Sequence, residues 1–101
     1  SGSGANGTGA LLLAAVATGL EHYYDCTIKR TVSSVIQAPG CISGESLVDS
    51  DNPSRRYVMS KWDTKQDWEN WFHSDLRRQV ISEITPMLES REKITMLELT
   101  R

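Results

Sequence analysis

The sequence predicts an α+β fold of ferredoxin-like type, in the order β-α-β-β-α-β, with an antiparallel sheet and both helices on one of its faces. Three observations carry this expectation. Apolar residues alternate in some stretches and recur every three to four residues in others, which separates strands from helices. Turn or stop signals fall between these stretches, at Gly19, Pro39-Gly40 and the run Asp49 to Ser54. The length of 101 residues, with 39% hydrophobic and 24% charged, suits one globular domain.

Each element follows in order. Ser1 to Gly9 reads SGSGANGTG, a flexible linker with too little apolar surface to offset ordering entropy, so the domain is expected over 10–101. The run Leu11 to Ala17 resembles the apolar part of a signal peptide, but no Lys or Arg precedes it. Bounded by Gly9 and Gly19, it is expected as a strand. Leu20, Tyr24, Ile28, Val32, Val35 and Ile36 form one stripe of the first helix, which Pro39-Gly40 stops. Cys41 to Asp49 and Tyr57 to Trp62 are the two strands of a hairpin around an Asp- and Pro-rich turn. Asp63, with Gln66 three residues on, is expected to cap the next helix, whose apolar face carries Trp68, Trp71 and Phe72. Asp75 is expected to cap a second stretch with Leu76, Val80, Ile84 and Leu88 as its stripe, and Pro86 must kink or restart it. Lys93 to Leu99 is the last strand, with Ile94 and Met96 on one face and Thr95, Leu97 and Leu99 on the other.

Leu, Ile, Val and Met occur on both faces of these strands, whereas a sheet wetted on one side alternates cleanly. A partner is therefore expected over the second face, most simply a second copy. Eleven Lys and Arg against thirteen Asp and Glu give a net charge of −2, which argues against a nucleic-acid binder. No apolar run reaches the roughly 18 residues of a membrane span. Cys26 and Cys41 lack CxxC spacing and a His cluster, which argues against a zinc site. They are expected as free, largely buried thiols, which favours a reducing intracellular compartment.

Four stretches together resemble the antibiotic biosynthesis monooxygenase family, the dimeric α+β barrels. They are the helix-to-strand join APGCISGESL, the hairpin SLVDSDNPSRRYVMSKW, the strand-to-helix segment KWDTKQDWENWFHSDLRR, and ITPMLES followed by KITMLEL. The resemblance covers about residues 10 to 99. It implies a homodimer whose sheets face each other as a barrel, with a small pocket between sheet and helices in each protomer. It also implies one of several activities. Members include oxygenases that act on aromatic polyketides without a cofactor, and haem-degrading enzymes. Trp62 and Trp71, nine residues apart, match a tryptophan pair of the haem-degrading branch. Val80 and Ile81 stand where that branch carries its axial histidine, and residues 10 to 18 lack its asparagine.

Several side chains are candidates for chemistry. His73 suits proton transfer or iron binding, although it points about 200° round the helix from Trp71. His22 is a second histidine, at the first turn of the first helix. Trp62, Trp68 and Trp71 offer stacking area and one N–H donor each, or simply fill a core. Tyr24 and Tyr57 are candidates to hydrogen-bond a phenolic ligand. Arg77-Arg78 is a candidate for a carboxylate or a haem propionate. The expected function is oxidation of a small hydrophobic or aromatic ligand without a tightly bound cofactor. In it Trp71 and Tyr57 position the ligand and His73 moves a proton. The alternatives are haem binding or degradation, with His73 or His22 as ligand, and a non-catalytic dimeric binding or assembly module.

Overall fold

A computed structural model describes residues 7–100, so the linker reading of 1–6 lies outside the described residues. The elements are β1 (Thr8–Ala15), α1 (Glu21–Val35), β2 (Cys41–Val48), β3 (Arg55–Trp62), α2 (Lys65–Phe72), α3 (Asp75–Ile84), a 3-10 turn (Thr85–Met87) and β4 (Lys93–Glu98). This is the expected order with the last helix split in two. The strands form one antiparallel sheet in the order β2-β3-β1-β4. The sheet begins earlier than the composition suggests, because Thr8 and Gly9 already pair with β3 and β4.

β1 lies in the middle and its alternation sorts the side chains. Leu12 is opposite Val58 on one side and Ile94 on the other, and Ala10 is opposite Ser60 and Met96. Directly opposed residues of antiparallel strands share a face, and this face carries the helices. Ala14, Val16, Tyr24, Ile28, Val80 and Ile84 form its buried core. The odd positions set the other face: Leu13 is opposite Tyr57, Leu11 opposite Met59, and Leu47 again opposite Tyr57. No described element covers that face, and Leu47 and Leu97 remain 48% and 38% exposed.

The caps differ from the sequence expectation by one residue each. Thr64, not Asp63, caps α2: its backbone is extended and its hydroxyl accepts from the Asp67 N–H at 3.1 Å. Asp67 returns the bond, since its Oδ2 accepts from Thr64 Oγ1 at 2.9 Å. Ser74, not Asp75, caps α3 by accepting from the Arg77 N–H at 3.2 Å. In both cases a hydroxyl fits the turn one residue from an aspartate that instead reads as a better acceptor. The stripe of α3 also turns: Arg77, Val80 and Ile84 are buried while Leu76 is 43% exposed. Pro86 restarts the chain as the 3-10 turn. The cysteines are free, but Cys26 is exposed and Cys41 half-buried, against the expectation of burial. Cys26 stands on the solvent side of α1, and β2, which carries Cys41, has no fully buried position.

One corner ties three elements together. Gly40 has φ +83, and the Asp67 side chain fills the space a Cβ would need. Its carbonyl accepts from the Asp63 N–H at 2.8 Å. The change Gly40→Ala is therefore expected to cost about 1–3 kcal/mol through strain and displacement of Asp67. Thr64→Ala is expected to cost about 1 kcal/mol, and Asp63→Ala less than about 0.5 kcal/mol. Urea unfolding midpoints measure all three, and equal losses at Thr64 and Asp63 would contradict the assigned cap.

Candidate functional site

A row of small residues crosses the sheet where α1 and α2 pass over it. Gly44 is opposite Ser60, and Ser60 is opposite Ala10. At Gly44 the space is filled by α1, since a Cβ there would meet Ile36 and Val35 at 3.3 and 3.4 Å. Above Ala10 and Ser60 it is not filled, and a cavity of about 50 Å³ remains. That is room for a few water-sized groups.

Leu12, Val58 and Ile94 extend the floor, and Ile28, Val32 and Val35 of α1 form one wall. Trp68, Trp71 and Phe72 of α2 form the opposite wall. Trp68 and Phe72 stack at 4.8 Å between ring centroids with planes 25° apart. Arg77 closes this side, with its guanidinium carbon 4.8 Å from the Phe72 ring centre, a cation–π distance.

Three polar groups reach the apolar space. Ser60 Oγ accepts from Trp62 Nε1 at 2.9 Å, which leaves the hydroxyl hydrogen to donate. Thr31 Oγ1 donates to the Thr27 carbonyl at 2.9 Å, which leaves its lone pairs to accept. Arg77 is 6% exposed and pairs with Glu92, itself largely buried. The pair is held where water is scarce, so removing either partner would strand a charge.

The structure brings some of the sequence candidates together and leaves others apart. Trp68 and Trp71 line the cavity. Trp62 is wholly buried and does not line the cavity, and its indole N–H donates to Ser60, which does. Tyr24 is in the core beside the cavity, and its hydroxyl has no hydrogen-bond partner. Burial pushes the Tyr24 phenol far above the ordinary range, and the charges of Glu92 and Asp25 add to this. Tyr57 is on the opposite face of the sheet, because it pairs with Leu13. His73 is exposed at the C-cap of α2, with its ring 5.4 Å from Phe72, and does not line the cavity. His22 is exposed on α1. Arg77 and Arg78 separate: Arg78 is exposed beside Asp75 at 3.1 Å.

Ser60 and Thr31 were not among the candidates. Ser60 could have been found from its place two residues before Trp62 and two after Val58, on the helix-facing side of β3. The residues of the cavity do not fit haem. None of those lining it is His, Cys, Met or Tyr, the side chains that take the axial position of haem iron.

Comparison with known proteins places this geometry. The family model for antibiotic biosynthesis monooxygenases matches residues 13–82. A search of curated proteins gives no match. A conserved protein from Methanosarcina mazei Go1 superposes with a TM-score of 0.87 at 13% identity, over 93% of this chain and 93% of that one. Rv0793 from Mycobacterium tuberculosis superposes at 0.86 with 8% identity, over 94% and 96%. A protein of Nitrosomonas europaea, named for the antibiotic biosynthesis monooxygenases, superposes at 0.86 with 14% identity, over 90% and 88%. At such identities the structural likeness speaks for the fold alone. The sequence match runs from β1 into α3, over more than half of the chain, and on that ground the chain belongs to the antibiotic biosynthesis monooxygenase family.

Proposed function

We propose that the chain is a monooxygenase that oxidises a small hydrophobic or aromatic ligand in the cavity beside Trp71, without a tightly bound cofactor. The observation that carries this is the cavity itself, which at about 50 Å³ must widen by outward movement of α2 to admit a ring. It is walled by Trp68, Trp71 and Phe72, floored by aliphatic side chains, and given only a few polar groups. Flat rings bind a flat ligand by stacking. A mostly apolar lining strengthens each polar contact made inside it.

The reaction needs a ligand with an acidic C–H bond. Loss of the proton gives a carbanion conjugated with an oxygen, and Ser60 Oγ–H is the donor placed to hold that oxyanion. Arg77 also lines the cavity, with its charge balanced by Glu92. The carbanion passes electrons to O₂ and a peroxide forms at the carbon. Loss of water then leaves a carbonyl, so a CH₂ group and O₂ give C=O and H₂O with no outside reductant. His73 has no part in lining the cavity, so its position gives no support to a role in proton transfer; in this reading the proton leaves to water. Tyr57 faces away and is assigned no contact with the ligand.

The uncovered sheet face carries Leu11, Leu13, Leu47, Tyr57, Met59 and Leu97. We assign it to a second copy of the chain, which would make the protein a homodimer and leave each cavity in its own protomer.

Oxygen uptake with a panel of enolisable aromatic ketones and ionisable phenols, without added metal or flavin, tests the activity. Trp71→Ala and Ser60→Ala are each expected to lower kcat/KM by about tenfold or more, and His73→Ala to leave it unchanged. Turnover that neither cavity substitution alters would remove the site. Sedimentation at micromolar concentration tests the dimer: twice the 11.3 kDa chain mass is expected, and Leu13→Glu with Leu97→Glu is expected to shift it to one chain. A wild-type chain that sediments alone would overturn that assignment.

A further inference from the structure

The exposed face of α1 holds a donor pair that the cavity does not use. His22 and Cys26 are four residues apart, one helical turn, and both side chains are exposed. The turn brings Cys26 Sγ to 3.7 Å from His22 Nε2. The CxxC and His-cluster patterns sought in the sequence miss this arrangement, because the second donor is a histidine one turn earlier.

The separation can be compared with what a metal ion needs. Zinc bonds of about 2.3 Å to sulfur and 2.0–2.1 Å to nitrogen, at a tetrahedral angle, place the two donors roughly 3.6 Å apart. The same bonds at a right angle, as in square or octahedral geometry, would place them only about 3.1 Å apart. The observed 3.7 Å, held in the free protein as a thiol–imidazole hydrogen-bond contact, is close to the tetrahedral bite. The helix backbone fixes both Cβ positions, so only the side-chain rotamers remain to be ordered on binding. One thiolate and one imidazole form a borderline-soft donor set, which suits Zn²⁺ and similar ions better than Mg²⁺ or Ca²⁺.

We propose that His22 and Cys26 form a bidentate surface site for a divalent transition-metal ion that favours tetrahedral coordination. Cys26 binds as the thiolate and releases its proton to solvent. Among the described residues no cluster of three His, Cys, Asp or Glu side chains is placed to hold a metal, so water completes the coordination. The site is open, with exchangeable positions, unlike a closed structural zinc site. It stands on the outer side of α1, away from the cavity, and is independent of the oxidation proposed above.

The test is titration of the reduced full chain with Co²⁺, which reports thiolate ligation by a near-ultraviolet charge-transfer band. The band is expected to appear with one equivalent per chain and to bleach when Zn²⁺ is added. Cys26→Ser is expected to abolish it, and His22→Ala to weaken Co²⁺ binding by about tenfold or more. Cys41→Ser and His73→Ala, which alter the remaining thiol and imidazole, are expected to leave both band and affinity unchanged. Far-UV circular dichroism of each variant confirms that α1 is intact, as substitutions at exposed helix positions allow. No band at millimolar Co²⁺, a band that survives Cys26→Ser, or an affinity that His22→Ala leaves unaltered would each overturn the site.

Discussion

The central position of β1 governs the rest of the structure. It is hydrogen-bonded to β3 on one side and β4 on the other, so its two-residue period is imposed on the whole sheet. A slip of one residue in β1 would send Ala10, Leu12 and Ala14 outward and bring Leu11 and Leu13 beneath the helices. The core, the cavity floor and the uncovered face are three results of one register. The helices do not choose what they cover; they accept the even positions of β1.

The cavity arises from the same register. Ala10, Ser60 and Gly44 lie in one cross-strand row, and α1 descends fully only onto the glycine. Over the other two the layers are held apart by Trp68, Trp71 and Phe72, which are too large to settle. Empty apolar space forfeits dispersion contacts and lowers stability. The buried Arg77–Glu92 pair adds a second demand, since desolvating two charges offsets much of their attraction. A chain of this size retains little stability to spare, and two such features in one place are characteristic of a binding site.

The sequence makes the order of elements legible because the changes of period are marked, by Gly19 and Pro39-Gly40 around α1, Asp63-Thr64 before α2 and Pro86 after α3. Ile94 and Met96 on one face of β4, with Leu97 on the other, could be read directly from alternation. The errors fall where a distant partner decides. Leu76 and Arg77 both keep helical spacing with Val80 and Ile84, and hydrophobicity alone favours the leucine. Arg77 is buried because Glu92 stands fifteen residues on in sequence and beside it in space, which no local pattern reveals. Tyr57 is a sequence candidate because its hydroxyl can hydrogen-bond a phenolic ligand. Its odd offset from Trp62 puts it on the other face, and only the pairing with Leu13 made that count. His73 follows Phe72, but the helix ends there and its ring stays in solvent.

The helix that walls the cavity is also the least anchored. No residue of α2 is fully buried. Its hold on the domain comes from the Thr64–Asp67 cap, the Asp63 amide on Gly40, and rings lying against the sheet. Local opening costs least where apolar burial is least. Amide hydrogens of this helix are therefore expected to exchange ahead of those in β1, and an outward movement of α2 would part the tryptophans from the floor. The cavity is already partly open to solvent, and a looser grip of the Gly40 corner on Asp67 would widen it without a dedicated loop.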